Sequence, residues 1–367
     1  MDLDSDHTYF EQRGESLVDL LQEEAGIDVE AAEDVADLLI ENDPFDPRDG
    51  EGPFYSAEEQ YERLDVSEGE YGELWEEFSQ RIQHEIRFFD RGAQALLADI
   101  LGKPESRFAG GLPSLELGPG SRVASVFRAR RADTAALATH LLANPINELA
   151  RPPVHLARAG RMNASGIPVF YGALSAATAI AEVRPYVGSI VITARFSILR
   201  QVRVLDLSRI DQFFTGSIFA PQYEKRASRL RFLQRFHHLI ARPVQPGDEA
   251  LEFVPTQAVA EYVHNVLGFD GMLYMSAQLG GPPLPDPDER RYITVGELSD
   301  EDIKEYNLVL FGAAGATVGA EDRPDPGLEL DRSMIGTERI TGVRYSHEWT
   351  YVPDLDAPTI PGDEGAF

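Results

Sequence analysis

The sequence predicts an α+β core preceded by an acidic, all-helical segment. Three observations carry that expectation: acidity concentrated before Asp90, apolar residues recurring at helical spacing in the same stretch, and short strand-like runs interleaved with helices beyond Gly120. At 367 residues the chain is long enough for two cores.

From Met1 to Asp90 roughly 29 acidic residues stand against about five basic ones, a large share of the formal net charge of -29. Leu17, Leu20 and Leu21, then Val35, Leu38 and Leu39, mark two helices. A turn-rich stretch from Asn42 to Tyr55 leads to Ser56, and Glu59 three residues on gives a capping-box start for another helix. Trp75, Phe78, Ile82, Ile86 and Phe89 then make one apolar face, expected to pack within a helical bundle. Docking of that face onto the following domain is the alternative.

The Gly/Pro-rich run from Gly110 to Gly120 reads as a boundary. Beyond it the spacing predicts strands at 125–130, 168–171, 189–196 and 202–205, helices at 175–183 and 257–267, and a late strand at 307–311. The expected domains are an acidic helical domain at 1–108, a mixed domain at 109–345 and an acidic, Pro-rich tail at 346–367.

Composition narrows the function. The chain has no cysteine, so it has neither disulfides nor thiolate metal sites. His84-Glu85 lacks the second histidine of a zinc-protease helix, since position 88 is Phe88, and no metal is expected. His237 and His238 are expected in surface or capping roles. The glycines of the run from Phe311 to Gly319 lack phosphate-loop spacing. A polyanionic backbone would be repelled, so nucleic acid is not expected as a partner. The acidic start and the absence of a long apolar run predict a cytoplasmic protein with no membrane partner.

The informative stretch is Gly160 to Arg184, GRMNASGIPVFYGALSAATAIAEVR. It strongly resembles the signature of the RES-domain family, NAD-consuming toxins related to ADP-ribosyltransferases, with Gly160, Arg161, Asn163, Gly166, Tyr171 and Glu182 at the matching positions. Upstream, VFRAR looks like the family's first core strand and places its arginine at Arg128. Downstream, Thr256 and Gln257 stand at the expected helix start, Ser276 follows a strand, and Asn307 fits the last strand. The resemblance spans roughly residues 120 to 312, ordered along the chain.

It implies a core of two small sheets with flanking helices, and a cleft that holds NAD as substrate. Glu182, Arg128 and Tyr171 are the implied catalytic residues; Arg128, Arg161, Asn163, Tyr171, Thr256, Gln257, Ser276 and Asn307 are the implied NAD-binding residues. The chemistry is consistent with those types. Breaking the nicotinamide–ribose bond develops positive charge on the sugar, which a carboxylate stabilises, and guanidinium forks suit the pyrophosphate. Water, phosphate or a protein side chain remains open as acceptor. The resemblance also implies an antitoxin or other regulatory protein as partner. A non-catalytic binding module is the rival reading.

Overall fold

The computed structural model describes residues 14–43, 53–61, 70–88, 90–102, 113–207, 223–241, 244, 247–276, 278, 306–320 and 325–343. The chain divides into two compact units, residues 1–68 with 214–231, and residues 69–213 with 232–367. The boundary expected near residue 108 falls inside the second unit, and the expected tail lies outside the described residues.

In the first unit, α1 (Leu17–Ala25) and α2 (Val29–Glu41) each begin at a side-chain cap. Ser16 Oγ accepts from the Asp19 amide at 3.1 Å, and Asp28 Oδ1 accepts from Ala31 at 2.9 Å. Leu17 and Leu21 pack with Ala32 and Ala36, as the periodicity predicts. The helix expected at Ser56 does not start there. Ser56 Oγ accepts from the Glu58 amide in a bend, and the chain then pairs Tyr61 with Glu15.

The second unit opens with α3 (Glu70–Gln80), a π-helical turn at Arg81–Glu85, and α4 (Arg91–Leu101). Asp90 caps α4 and also pairs with Arg81. The π-turn ends the helical register, so Ile86 leaves the apolar face and is exposed; Phe89 is outside the described residues. The remaining face is not the inside of a separate bundle. Phe78, Ile82, Leu97 and Ile100 share a core with Val259, Val263 and the sheet, and Trp75 lies 5.1 Å from Phe236, ring centre to ring centre.

Eight strands form one sheet: β1 (Ser114–Leu117), β2 (Ser125–Ala132), β3 (Phe170–Ala173), β4 (Ile190–Ile198), β5 (Val202–Asp206), β6 (Gly271–Met275), β7 (Tyr306–Leu310) and β8 (Leu328–Arg339). Their order is β1-β5-β6-β7-β3-β2-β4-β8, antiparallel except for β5 against β6. Where two small sheets were expected, hydrogen bonding is continuous, but β2 and β3 share only the register pair Phe127↔Ala173. The halves meet at a seam. Strands β1 and β8 are the edges, and both lie in stretches whose glycine, proline or charge hides a strand from a periodicity reading.

Helices cover both faces. One face buries Met272, Tyr274 and Val309 under α9 (Glu249–Asn265) and the later turns of α8 (Tyr223–Ala241). The other buries Phe170, Leu308 and Leu310 beside α5 (Ala135–Ala143) and α6 (Pro145–Leu149). Helix α9 begins eight residues before its expected start at Gln257, which places Thr256 and Gln257 inside it. Pro255 is also interior and cannot donate to Leu251; that carbonyl instead accepts from Gln83 Nε2 at 3.2 Å. No helix among the described residues is long and apolar enough to cross a membrane.

Because α3 and α4 complete the sheet's core, extending an N-terminal deletion from residue 68 to residue 102 removes Phe78 and Ile100, both fully buried. The longer deletion is expected to lower soluble yield and melting temperature relative to the shorter one. In the full chain, Phe78→Ala should cost about 3–5 kcal/mol, measured by denaturant unfolding.

Candidate active site

The site lies along the seam between β2 and β3. It is a cleft of about 360 Å³ whose wall includes Arg128, Arg161, Tyr171, Glu182, Tyr274 and Asn307. A larger concavity, of about 470 Å³, lies against β8 and brings together no such set of groups.

Glu182 is the last residue of α7 (Ala176–Glu182), which starts at the Ser175 cap. A carboxylate at a helix C-terminus faces the negative end of the dipole, an unfavourable place. Donors from two strands offset it: Ser276 Oγ donates to Glu182 Oε1 at 2.5 Å, and Asn307 Nδ2 donates to the same oxygen at 2.8 Å. Among the described residues Oε2 has no hydrogen-bond partner, and Glu182 is exposed to the cleft.

The turn Gly160–Asn163 supplies Arg161. Gly160 and Asn163 exchange backbone hydrogen bonds, and a Cβ at Gly160 would lie 2.7 Å from Asn163 Oδ1 and 2.8 Å from the Tyr171 hydroxyl, so only glycine fits. The Tyr171 hydroxyl accepts from the Met162 amide and donates to Asn163 Oδ1, both at 2.9 Å. Asn163 Nδ2 donates to the carbonyls of Arg158, Ala164 and Ile167. The Thr256 hydroxyl donates to the Arg161 carbonyl at 2.6 Å, and Gln257 Nε2 donates to the Gly160 carbonyl at 2.8 Å. Asn163, Thr256 and Gln257 thus hold the backbone of the turn and are not among the groups lining the cleft.

Arg161 lies over the Phe253 ring at 5.1 Å. Burial lowers its pKa, opposed by the nearby Tyr274, Tyr171 and Glu182. Arg128 lies over Phe170 at 5.2 Å, and its enclosed Nη1 has no hydrogen-bond partner among the described residues. Burial, and then the neighbouring Arg130, pull its pKa down to about 10, so it remains a cation at neutral pH. A buried guanidinium without a counter-charge is costly unless a ligand supplies one.

The structure therefore brings Arg128, Arg161, Tyr171, Glu182, Ser276 and Asn307 together. It adds groups that the sequence reading missed. Arg184, two residues past Glu182, holds a left-handed φ of 44°, a conformation usually left to glycine after a helix. Its carbonyl accepts from Arg131 at 3.1 Å, and with the Gln278 amide turned so that its oxygen faces the guanidinium, Nε and Nη2 each donate to that oxygen at 3.2 Å. His237 is buried rather than at the surface, with Nε2 accepting from the Met275 amide at 3.0 Å, which fixes the strand end that carries Ser276. Tyr274 was legible, since it precedes Ser276 by two on one strand and so shares its face. Nothing in the sequence singles out Arg184 or Gln278.

The RES domain family model matches residues 125–333, which includes every strand but β1 wholly or in part, and all of the cleft groups. The chain belongs to the RES-domain family. At the level of the family, the RES core implies an NAD-related, toxin-like function. No curated protein and no solved structure matches the chain.

Tyr171→Phe leaves the Met162 amide and Asn163 Oδ1 without their partner in a part-buried turn. It is expected to cost about 1–3 kcal/mol, seen as a lower midpoint in urea unfolding.

Proposed function

We propose that this protein cleaves the nicotinamide–ribose bond of NAD, with water or inorganic phosphate accepting the ADP-ribosyl group, and that it acts as a growth-arresting toxin or defence effector. The observation that carries the reading is a buried cation, Arg128, without a counter-charge among the described residues, sharing a cleft with a carboxylate, Glu182, held by one oxygen.

In this reading Arg128 and Arg161 take the pyrophosphate, whose charge offsets the burial of both guanidiniums. The nicotinamide-ribose C1′–N bond breaks and nicotinamide leaves with the electron pair. Glu182 Oε2, free of donors among the described residues, binds a ribose hydroxyl and stabilises the positive charge at C1′. An oxygen of water or phosphate then bonds to C1′, and its proton is released. Ser276 and Asn307 orient the carboxylate and keep Oε2 turned to the sugar. Tyr171 forms the wall, while Asn163, Thr256 and Gln257 position Arg161 through the turn's backbone.

Purified protein incubated with NAD should release free nicotinamide, and arms with and without phosphate separate ADP-ribose from its phosphorylated form. Glu182→Gln is expected to lower turnover about 10²- to 10³-fold. Arg128→Ala should weaken NAD binding about 10- to 100-fold, the worth of a lost charge-assisted hydrogen bond. Wild-type protein that leaves NAD intact under both conditions would refute the reading.

A further inference from the structure

The cleft contains two phenols, and only one of them is committed. The Tyr171 hydroxyl has given its hydrogen to Asn163 and accepts from Met162, so it has none to offer a ligand. Tyr274 differs. Its side chain lines the same cleft at 8% exposure, yet among the described residues its hydroxyl has no hydrogen-bond partner. A buried phenol normally finds one.

The backbone aims it. Tyr274 pairs in register with Asn307 on β7 and stands two residues before Ser276, so it rises from the face that presents both donors to Glu182. His237 anchors the next residue, Met275, through its amide. The groups that act electrostatically on the phenol are Tyr171, Glu182 and Arg161. Tyr274 therefore shares one cleft lining with the cation assigned to phosphate and the carboxylate assigned to ribose. Burial also raises its pKa well above the ordinary tyrosine value, which keeps the hydrogen in place.

We propose that Tyr274 is a ligand-contacting residue, its hydroxyl donating to an oxygen of the ribose–phosphate portion of the dinucleotide between Arg161 and Glu182. The proposal rests on the NAD reading above and adds a specific donor to it. The bound ligand supplies the acceptor that no described residue does.

The test compares Tyr274→Phe with Tyr171→Phe and Glu182→Gln in the full chain, measuring NAD turnover, ADP-ribose binding by calorimetry and thermal melting. Tyr274→Phe is expected to lose about 10- to 100-fold in kcat/KM, with weaker ADP-ribose binding and an unchanged melting temperature, because no hydrogen bond to a described residue is removed. Tyr171→Phe should instead melt lower. Wild-type kinetics in Tyr274→Phe beside an inactive Glu182→Gln overturns the proposal alone. So does a melting loss in Tyr274→Phe equal to that of Tyr171→Phe, which would reveal an internal partner. Wild-type protein that neither binds ADP-ribose nor consumes NAD overturns the proposal and the NAD reading together.

Discussion

One carboxylate oxygen organises the site. Glu182 Oε1 accepts from Ser276 and Asn307, 94 and 125 residues further along the chain, and so joins the end of α7 to the ends of β6 and β7. Neither the helix end nor the unusual backbone of Arg184 favours that placement locally. A left-handed arginine costs about 1–2 kcal/mol, similar to a net hydrogen bond, so the two donors and the Arg131 contact are needed to hold the segment. Local strain at a place where tertiary donors converge is the pattern of a site kept for chemistry rather than stability.

The cleft itself follows from the sheet. A ladder with full pairing between β2 and β3 would leave no space between them, whereas one register pair lets the strands part beyond Phe127 and Ala173. On the β2 side of the seam the pairing is long, β2 with β4 and β4 with β8, so the break in the ladder is confined to the seam. Arg128 sits immediately after the single pair, where a splayed strand can turn a guanidinium toward the opening without giving up a packed layer.

Much of this was legible in the sequence because RES-type residues are bound to strong local signals. Tyr171 lies in a short apolar strand, Glu182 ends a capped run of small helical residues, and Gly160 to Asn163 must form a tight turn. The parts that could not be read depend on long-range packing. Helix α9 runs through Pro255 because Gln83, on a distant segment, satisfies the carbonyl that proline abandons. The polar strand β8 exists because β4 offers it an edge, and α3 and α4 join the core through partners such as Phe236 that periodicity cannot identify. Asn163, Thr256 and Gln257 were expected among the ligand contacts, but their side-chain donors go to backbone carbonyls. Residue type and order do not distinguish a donor to a ligand from a donor to the turn that carries Arg161.

The same distinction governs charge. A net charge of -29 argues against binding a long polyanion, whose phosphates would extend across the surface. It does not decide the affinity of a small anion in a cleft, because exposed charges beyond a Debye length of about 8 Å are largely screened at physiological salt. What such a ligand meets is the lining: Arg128, Arg161 and Arg184 against Glu182, three cations to one carboxylate among the described residues. Low-dielectric walls, and a guanidinium without a counter-charge among the described residues, strengthen that local field. The acidic chain and the cationic cleft are therefore compatible, and together they favour a compact anion over a long polyanion.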